Sequence, residues 1–434
     1  MHLTKRFRSR IISFGLLFLF SAGICVSEPL SVSVRLTERL LPGEFDSGSY
    51  RGASDLPFAE MDAGPVPELS CRSAVLIDDE TGAILFVKHG DEVIPPASMT
   101  KLVSLHLMYR EIEEGRLSID QEIIVPDFAD FRSAPPRSSL MFLQAGQRVR
   151  LIDLMRGLAL PSGNDAAVLV ADLIAGSTPA YVAMMNDEMR RLGFSSIFFE
   201  DSSGYSEHNR ATALDFARFA RFYVDTHPES LKELHSLTSF SYPKTENENG
   251  VKSVYGTVTQ PNHNSLVGRH PWVDGLKTGY IDESGYNVAL TAETGGRRLI
   301  AVLMGGPGEN SRDGDLHRVI DGTNLLSYGF YRFAVVSPEL PELPPFSVIG
   351  GKDPSVEVAV PLPDAQLLFA EELGELHCFF EAAAAVAAPV RKGEELGQLY
   401  LTAGDRLLAS YPVRAAASVE KAGFFEQIFR ALFR

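Results

Sequence analysis

The sequence predicts a mixed α/β (α+β) protein with an antiparallel sheet, followed by a small C-terminal all-β domain. Helical periodicity and strand-like apolar runs share the first three quarters of the chain, and consecutive strands are joined by hairpin-type turns. Short apolar runs broken by Gly and Pro fill most of the remainder. With 434 residues, 45% of them hydrophobic, and only 3 Cys, the chain suits two or three domains with well-filled cores and not a disulfide-stapled scaffold.

The N-terminus has the pattern of a secretory signal peptide. Residues 1–27 place four basic side chains before an apolar stretch that ends in small residues. We therefore expect export, with an uncleaved anchor or lipidation at Cys25 as alternatives. Because this segment has four basic and no acidic residues, its removal changes the formal charge from −16 to −20. Such an acidic body gives no electrostatic reason to bind nucleic acid.

Residues 28–68 lack sustained periodicity and are interpreted as a leader or linker, ahead of a main domain over 69–334. Within that domain, Asp-Asp-Glu-Thr-Gly separates two apolar runs, at 74–77 and 84–87, which predicts a hairpin. The remaining elements are predicted from periodicity and turn residues: helices at 98–113, 151–175, 179–192 and 211–225, and strands at 272–278, 287–293 and 298–304.

A proline-rich linker is predicted over 335–345, because proline fits neither a helix interior nor a central strand. The β domain would follow over 346–418. Residues 419–434 form an amphipathic pattern whose apolar face carries four phenylalanines. This helix is too short to cross a bilayer, and we expect it to lie on the membrane surface, with packing against the last domain as the alternative.

Ser98 and Lys101 form an SxxK pair that follows two prolines at the start of a predicted helix. Residues at i and i+3 share a helix face, so the amine can reach the hydroxyl, and free N–H groups at the helix start favour an oxyanion. Serine needs a base, which lysine becomes when its own pKa is lowered. The spacing alone is weak evidence, since Ser241 to Lys244 and Ser418 to Lys421 repeat it without the proline-led helix start.

Two further motifs strengthen the case. Ser162-Gly163-Asn164 lies in a predicted loop entering a helix, where a hydroxyl and an amide are available to a peptide substrate. Lys277-Thr278-Gly279-Tyr280 ends a predicted strand, whose edge can bind an extended peptide while Lys277 and Thr278 bind its carboxylate.

The order SxxK, SxN, KTG resembles that of the penicillin-recognising serine acyltransferases. The wider sequence resembles the low-molecular-mass penicillin-binding proteins, the D-alanyl-D-alanine carboxypeptidases, over about 70–418. Five segments carry the resemblance: PASMTKL at 96–102, SSLMFL at 138–143, PSGNDA at 161–166, VDGLKTG at 273–279 and PVRKG at 389–393. It implies a penicillin-binding transpeptidase-like domain and a β module. A membrane-associated C-terminal helix, on the periplasmic face of the cytoplasmic membrane, also fits the family.

The resemblance implies that Ser98 attacks the D-Ala-D-Ala bond of a peptidoglycan stem peptide, or a β-lactam, after Lys101 takes its proton. Backbone N–H groups of Ser98 and Tyr280 would hold the oxyanion. Ser162 and Lys277 would pass a proton to the leaving D-alanine, and Asn164 would orient the peptide. No metal or cofactor is implied.

The family also binds the terminal carboxylate through an arginine after the KTG strands. Arg318 matches the spacing best and Arg312 is its competitor, although either could instead be a surface arginine. Tyr280 departs from the family by replacing a common histidine. His263 falls near a position often taken by arginine and is interpreted as either a groove or a surface residue.

Other functions stay open at this point. A serine β-lactamase is one, with Glu200 compared to a deacylating glutamate, although the surrounding sequence does not match that loop. A D,D-transpeptidase or endopeptidase and a non-catalytic peptidoglycan-binding protein are the others. The sequence does not fix the third residue of the peptide substrate.

Overall fold

The protein was analysed as a computed structural model that describes residues 30–32, 35–37, 66–245, 247–248, 250–339, 343–361, 365–382 and 385–423. The predicted signal peptide at 1–27 and most of the amphipathic tail, from 424 onward, lie outside the described residues. The chain divides into two units. The larger takes Arg35–Glu339 and Asp364–Gly374, and the smaller takes Met1–Val34, Leu340–Pro363 and Glu375–Arg434.

Helices and strands alternate in the larger unit, and strands dominate the smaller. The described helices are α1 (Lys101–Glu113), α2 (Leu151–Ala159), α3 (Asn164–Ala175), α4 (Thr178–Leu192), α5 (Ala213–Thr226) and α6 (Ser311–Arg332). The described strands are β1 (Leu30–Val32), β2 (Arg35–Thr37), β3 (Ser73–Asp78), β4 (Ile84–Lys88), β5 (Val93–Ile94), β6 (Glu122–Ile124), β7 (Arg148–Arg150), β8 (Ala211–Thr212), β9 (Ser239–Tyr242), β10 (Asn247–Glu248), β11 (Val251–Lys252), β12 (Val258–Pro261), β13 (Val273–Ile281), β14 (Gly285–Thr294), β15 (Arg297–Gly306), β16 (Phe333–Glu339), β17 (Phe346–Ile349), β18 (Ser355–Val356), β19 (Val358–Ala359), β20 (Gln366–Phe369), β21 (Leu376–Ala382), β22 (Ala385–Ala387), β23 (Glu395–Ala403) and β24 (Arg406–Ala415).

The main sheet of the larger unit has the order β13-β14-β15-β3-β4, and all its neighbours are antiparallel. Successive side chains of a strand point to opposite faces of the sheet, and in this sheet both faces are buried. On β15, Ile300 and Val302 join the core that includes α5, whereas Leu299 and Ala301 join the core that includes α6. The sheet is thus packed on both faces, and β13 forms one of its edges. The expected α/β fold with an antiparallel sheet is confirmed.

Helices α1 to α4 build the rest of the larger unit around α1, ten of whose thirteen residues are buried. The periodicity at 151–175 predicted one helical segment, whereas the SxN motif predicted a loop entering a helix, and the structure has the loop. Helix α2 ends at Ala159 and α3 begins at Asn164, because Ser162 between them adopts φ +63°, a left-handed conformation that no helix continues through. The break is what places the SxN motif at a helix N-terminus.

The smaller unit contains a five-stranded sheet of order β1-β21-β23-β24-β19 and a three-stranded sheet of order β18-β17-β22. A core that includes Phe346, Leu399 and Val413 holds this unit together, and Cys378 is buried in it. The larger unit buries Cys71 in turn, and both thiols are free. The expected C-terminal all-β region is confirmed.

Two elements lie differently from the sequence interpretation. Strand β16 runs to Glu339, inside the predicted linker at 335–345. Pro338 is accommodated because β20 pairs only with residues 333–336, so this end of the strand has β2 as its one described neighbour. Strand β20, predicted within the β domain, pairs with β16 in the larger unit.

No single helix in the described ranges is long and apolar enough to cross a membrane. Helices α3 and α4 satisfy the criteria of length and composition only when taken together, and they are bent by 81°.

Candidate active site

Ser98 lies in a short 3-10 turn, Ala97–Thr100, directly before α1. Lys101 is the first residue of α1, and its Nζ lies 2.9 Å from Ser98 Oγ. The lysine is completely buried, whereas Ser98 is partly exposed. The helix start predicted from the two prolines therefore brings these two groups into contact, with the hydroxyl accessible and the amine enclosed.

Lys101 Nζ has two further partners. It donates to Asn164 Oδ1 over 2.7 Å and to the carbonyl oxygen of Ser203 over 2.6 Å. Burial lowers the pKa of Lys101 to about 7, although the negative charges of Asp201 and Asp165 oppose the shift. A neutral amine has two N–H bonds, which these oxygens occupy, and one lone pair, which is then left for the Ser98 hydroxyl.

The SxN loop forms the adjacent wall of the site. Asn164 begins α3 and donates through Nδ2 to Ser138 Oγ over 3.0 Å, so its amide links Lys101 to the 138–143 segment. Ser162 is buried, and its Oγ has no hydrogen-bond partner among the described residues. Asp165 accepts from the backbone N–H groups of Met141 and Leu143, at 2.9 Å each, and so fixes that segment.

Sequence reasoning missed the loop that holds Ser203. Asp201 accepts hydrogen bonds from the backbone N–H groups of Ser203, Gly204 and Ser206, at 2.6 to 2.7 Å. Gly204 has φ +83°, and a Cβ there would lie 1.9 Å from the carbonyl oxygen of Ala97. The loop therefore packs backbone to backbone against the nucleophile turn. The Asp-Ser-Ser-Gly sequence at 201–204 was the available signal, since such residues favour tight turns.

The KTG motif lies on β13, at the edge of the main sheet. Lys277 is only 1% exposed, and its Nζ donates to the carbonyl oxygen of Thr278 over 3.2 Å. Burial, followed by repulsion from Lys101 and Arg318, holds the pKa of Lys277 well below its ordinary 10.5. A Cβ at Gly279 would lie 2.5 Å from the carbonyl oxygen of Pro96, so β13 passes directly against the nucleophile turn.

Arg318 lies on α6, whose N-cap Asn310 accepts from the N–H groups of the first turn. Its guanidinium donates to Asp315 over 3.1 Å and lies 5.4 Å from the centre of the Tyr286 ring. Nε is buried and has no hydrogen-bond partner within the described ranges. Arg312 is instead exposed at the helix start. Arg318 thus contributes charge beside Lys277, and Arg312 does not.

His263 lies within reach of the same positive charges. The residue is exposed at the surface. Desolvation, with repulsion from Lys277, Arg318 and Lys101, lowers the pKa of His263 to about 4. The imidazole is therefore neutral at pH 7, and the cluster of Lys101, Lys277 and Arg318 is suited to an anionic ligand group.

An open groove of about 490 Å³ runs past the nucleophile. Ser98, Ser138, Asn164 and Tyr280 are among its lining residues. Glu200 does not line it, and the Glu200 carboxylate accepts a hydrogen bond from the Ser206 hydroxyl. The sequence comparison of Glu200 with a deacylating glutamate therefore finds no support in the geometry of the described residues.

The chain is similar to known proteins over most of its length. A family model described as D-alanyl-D-alanine carboxypeptidase (Peptidase S11) matches residues 60–308. The D-alanyl-D-alanine carboxypeptidase DacF of Bacillus subtilis is 29% identical over 381 residues, which are 86% of this chain and 93% of the relative.

Solved structures show the same likeness. Penicillin-binding protein 6B from Escherichia coli is 29% identical, with a TM-score of 0.64 over 82% of this chain and 98% of that structure. Penicillin-binding protein D2 from Listeria monocytogenes, in a cefotaxime-bound form, is 26% identical, with a TM-score of 0.51 over 62% of this chain and all of that structure.

Proposed function

The chain belongs to the Peptidase S11 family of D-alanyl-D-alanine carboxypeptidases, and on that premise we propose how its residues divide the reaction. The protein is a serine-type D-Ala-D-Ala carboxypeptidase, a hydrolase with a penicillin-binding fold. Its reaction transfers a peptidyl group from D-alanine to a serine and then to water.

Ser98 is the nucleophile and Lys101 its base. The observation that carries this assignment is the 2.9 Å contact between Lys101 Nζ and Ser98 Oγ, while the other two Nζ partners are obligate acceptors. Neutral Lys101 takes the hydroxyl proton as Oγ bonds to the carbonyl carbon of the penultimate D-alanine. Backbone N–H groups of Ser98 and Tyr280 stabilise the oxyanion that forms.

Collapse of the tetrahedral intermediate breaks the C–N bond to the terminal D-alanine. Its nitrogen needs a proton, which Ser162 supplies while Lys277 replaces it, and the acylated peptide stays on Ser98. Asn164 Oδ1 accepts a hydrogen bond from Lys101 Nζ, and Asn164 Nδ2 donates one to Ser138 Oγ. From this position the amide orients the acyl chain. Lys101 first loses the proton that it took from Ser98, and Lys277 regains one, by exchange with solvent. Water then attacks the ester with neutral Lys101 again as base, and Lys101 returns that proton to Ser98 Oγ, which releases the shortened peptide and free Ser98.

The carboxylate of the terminal D-alanine binds to Thr278 and Arg318 beside Lys277. These groups supply a hydroxyl and two positive centres, and the lowered pKa of Lys277 reflects its burial first and the repulsion from Lys101 and Arg318 second. A bound carboxylate relieves that repulsion, so the site favours a peptide with a free C-terminus over an internal peptide bond.

We further propose that β-lactams acylate Ser98, as the cefotaxime-bound relative suggests. The test is to incubate the protein with labelled penicillin and, separately, with a peptide ending in D-Ala-D-Ala, beside Ser98→Ala. The wild type should be labelled and should release D-alanine, and the variant should do neither. Labelling without D-alanine release would refute hydrolysis as the reaction, and rapid penicillin turnover would favour a β-lactamase.

We also propose that the protein is exported and acts on peptidoglycan at the periplasmic face of the cytoplasmic membrane, held there by the C-terminal helix. The N-terminal charge pattern and the phenylalanine-rich face of 421–434 support this location. Deleting 421–434 should move the protein from the membrane fraction to the soluble fraction without loss of penicillin labelling. Retention in the membrane fraction would contradict the anchor.

A further inference from the structure

A polar bridge crosses the mouth of the groove. Arg137, on the wall that carries Ser138, donates through both terminal nitrogens to Asp282, at 2.9 and 3.1 Å. Asp282 follows β13 on the opposite wall and also accepts from the Tyr280 hydroxyl over 2.7 Å. All three residues line the groove together with Ser98. The bridge therefore joins two walls that the chemistry described above does not connect.

The bridge is built so that a ligand can replace it. Arg137 and Asp282 keep 75% and 55% of their side-chain surface exposed, and exposed ion pairs of this kind contribute little to stability. Arg137 also adopts φ +63°, which costs a residue with a Cβ more than glycine. A guanidinium held at this backbone conformation on a substrate-facing rim suggests a role in binding.

The position of the bridge relative to the substrate follows from β13. In the proposed mechanism the terminal carboxylate lies near Thr278 and the scissile carbonyl accepts from Tyr280 N–H. An extended substrate added to this sheet edge would then run antiparallel to β13. At about 3.3 Å per residue, the amino acid before the acylated D-alanine lies beside Ile281. Its side chain can therefore reach Asp282 and Arg137.

The charged residues at the mouth restrict which substrate side chains can bind there. Three carboxylates line the groove there, those of Glu207, Asp282 and Glu283, and Arg137 is the one arginine or lysine among the described lining residues. An ammonium group would bind to the carboxylates. An ammonium that paired with Asp282 would displace Arg137, which would then lack a carboxylate partner unless the ligand also supplied one. A side chain that carries both groups replaces both halves of the ion pair.

We propose that Arg137, Asp282 and Tyr280 form a subsite that selects peptides whose residue before D-Ala-D-Ala ends in both an ammonium and a carboxylate. The inference rests on the proposed function, because it uses the substrate direction given there. Arg137 binds the side-chain carboxylate, Asp282 binds the ammonium, and the Tyr280 hydroxyl holds Asp282 in place.

The test compares two peptides that differ only in that residue, one with meso-diaminopimelic acid and one with L-lysine. The wild type should favour the diaminopimelate peptide about tenfold in kcat/KM, as expected when one charge-assisted hydrogen-bonded contact is gained. Arg137→Gly should abolish the preference by lowering kcat/KM for that peptide alone. Glycine is the replacement of choice because it adopts φ +63° without strain. Asp282→Asn should lower kcat/KM for both peptides.

The controls separate this inference from the proposed function. Penicillin lacks the side chain in question, so its acylation rate should be equal in the wild type and both variants, which also shows that the variants are folded. Arg148→Gln removes a similarly exposed ion pair, Arg148 to Glu122, outside the groove and should change nothing. Equal wild-type kcat/KM for the two peptides, or an equal loss for both in Arg137→Gly, overturns the subsite. Failure of the wild type to release D-alanine overturns the proposed function instead.

Discussion

Two parts of the site affect charge in opposite ways: the floor, formed by the buried Lys101 and Lys277, and the mouth of the groove, formed by Arg137 and Asp282. On the floor, Lys101 and Lys277 are at most 1% exposed, and burial lowers the pKa of both. At the mouth, hydrogen bonding between Arg137 and Asp282 raises the pKa of the arginine and lowers that of the carboxylate. The difference teaches that proton transfer needs groups whose charge is destabilised, whereas selection of a side chain needs charges that exchange partners freely.

The largest effect should come from the floor. Lys101→Arg keeps the positive charge and the hydrogen-bonding capacity but cannot act as a base, because arginine stays protonated. We expect the rate of acylation by labelled penicillin to fall by about 10³-fold, within the range for loss of a general base.

Lys244 offers a matched control, since it belongs to the Ser241-Tyr242-Pro243-Lys244 repeat of the motif but its amine lies 3.5 Å from the Asp153 carboxylate instead of against Ser98. Lys244→Arg should leave acylation unchanged. If Lys101→Arg retained more than a tenth of the wild-type rate, the assignment of Lys101 as the base would be wrong.

The next effect concerns the support of the floor. A methyl group at Gly204 would collide with the carbonyl oxygen of Ala97, whereas Gly193, with nearly the same φ of +84°, has open space around its Cβ position. Both alanine variants carry the strain of positive φ, but only Gly204→Ala displaces the nucleophile turn. A displacement of about 1 Å can cost about 100-fold in rate.

We therefore expect Gly204→Ala to lose about two orders of magnitude in acylation rate, and Gly193→Ala to keep the wild-type rate with a slightly lower Tm. Similar rates for the two variants would show that the backbone contact between Gly204 and Ala97 does not position Ser98.

The pH dependence tests the state of Lys101 directly. The amine accepts a proton only when neutral, and its pKa of about 7 means that it becomes protonated as the pH falls through that value. The acylation rate should drop about tenfold between pH 8 and pH 6. The neighbouring His263, with a pKa of about 4, does not titrate in this window. A flat profile from pH 8 to pH 6 would contradict a lysine base.

The smallest effect belongs to the mouth. Tyr280→Phe removes the hydroxyl that holds Asp282 and leaves the backbone N–H of the oxyanion site in place. We expect KM for a diaminopimelate peptide to rise about threefold with kcat unchanged, as for loss of one hydrogen bond. Tyr205→Phe is the control, because its hydroxyl also lies at the groove but makes only a 3.5 Å contact with Pro136. A loss in kcat for Tyr280→Phe would place Tyr280 with the floor.

The floor of the site and most of the fold could be predicted from the sequence. Ser98, Lys101 and Asn164 lie in short motifs tied to helix starts, and local periodicity indicated the helices and hairpins around them. The loop between α2 and α3 was indicated by the SxN motif and not by the periodicity of 151–175. Leu160 continues the apolar periodicity of α2, and nothing in the periodicity records the left-handed φ of Ser162.

The ion pair at the mouth and the contact between Lys101 and Ser203 on the floor could not be predicted in the same way. Arg137 and Asp282 are 145 residues apart in the chain, and Lys101 and Ser203 are 102 apart. Neither contact has a motif, because an ion pair or a carbonyl acceptor can be supplied by many residues. Only the folding of the two walls against each other determines which residues meet.

Each unit contains a buried cysteine whose reactivity reports local unfolding of that unit. Cys71 belongs to the larger unit and Cys378 to the smaller, and Cys25 falls in the predicted signal peptide. Burial raises the pKa of both thiols, that of Cys378 to about 11, so neither reacts readily while its core is closed. The rate at which a thiol reagent labels each site would therefore measure local unfolding separately in the catalytic and β units, without any engineered probe.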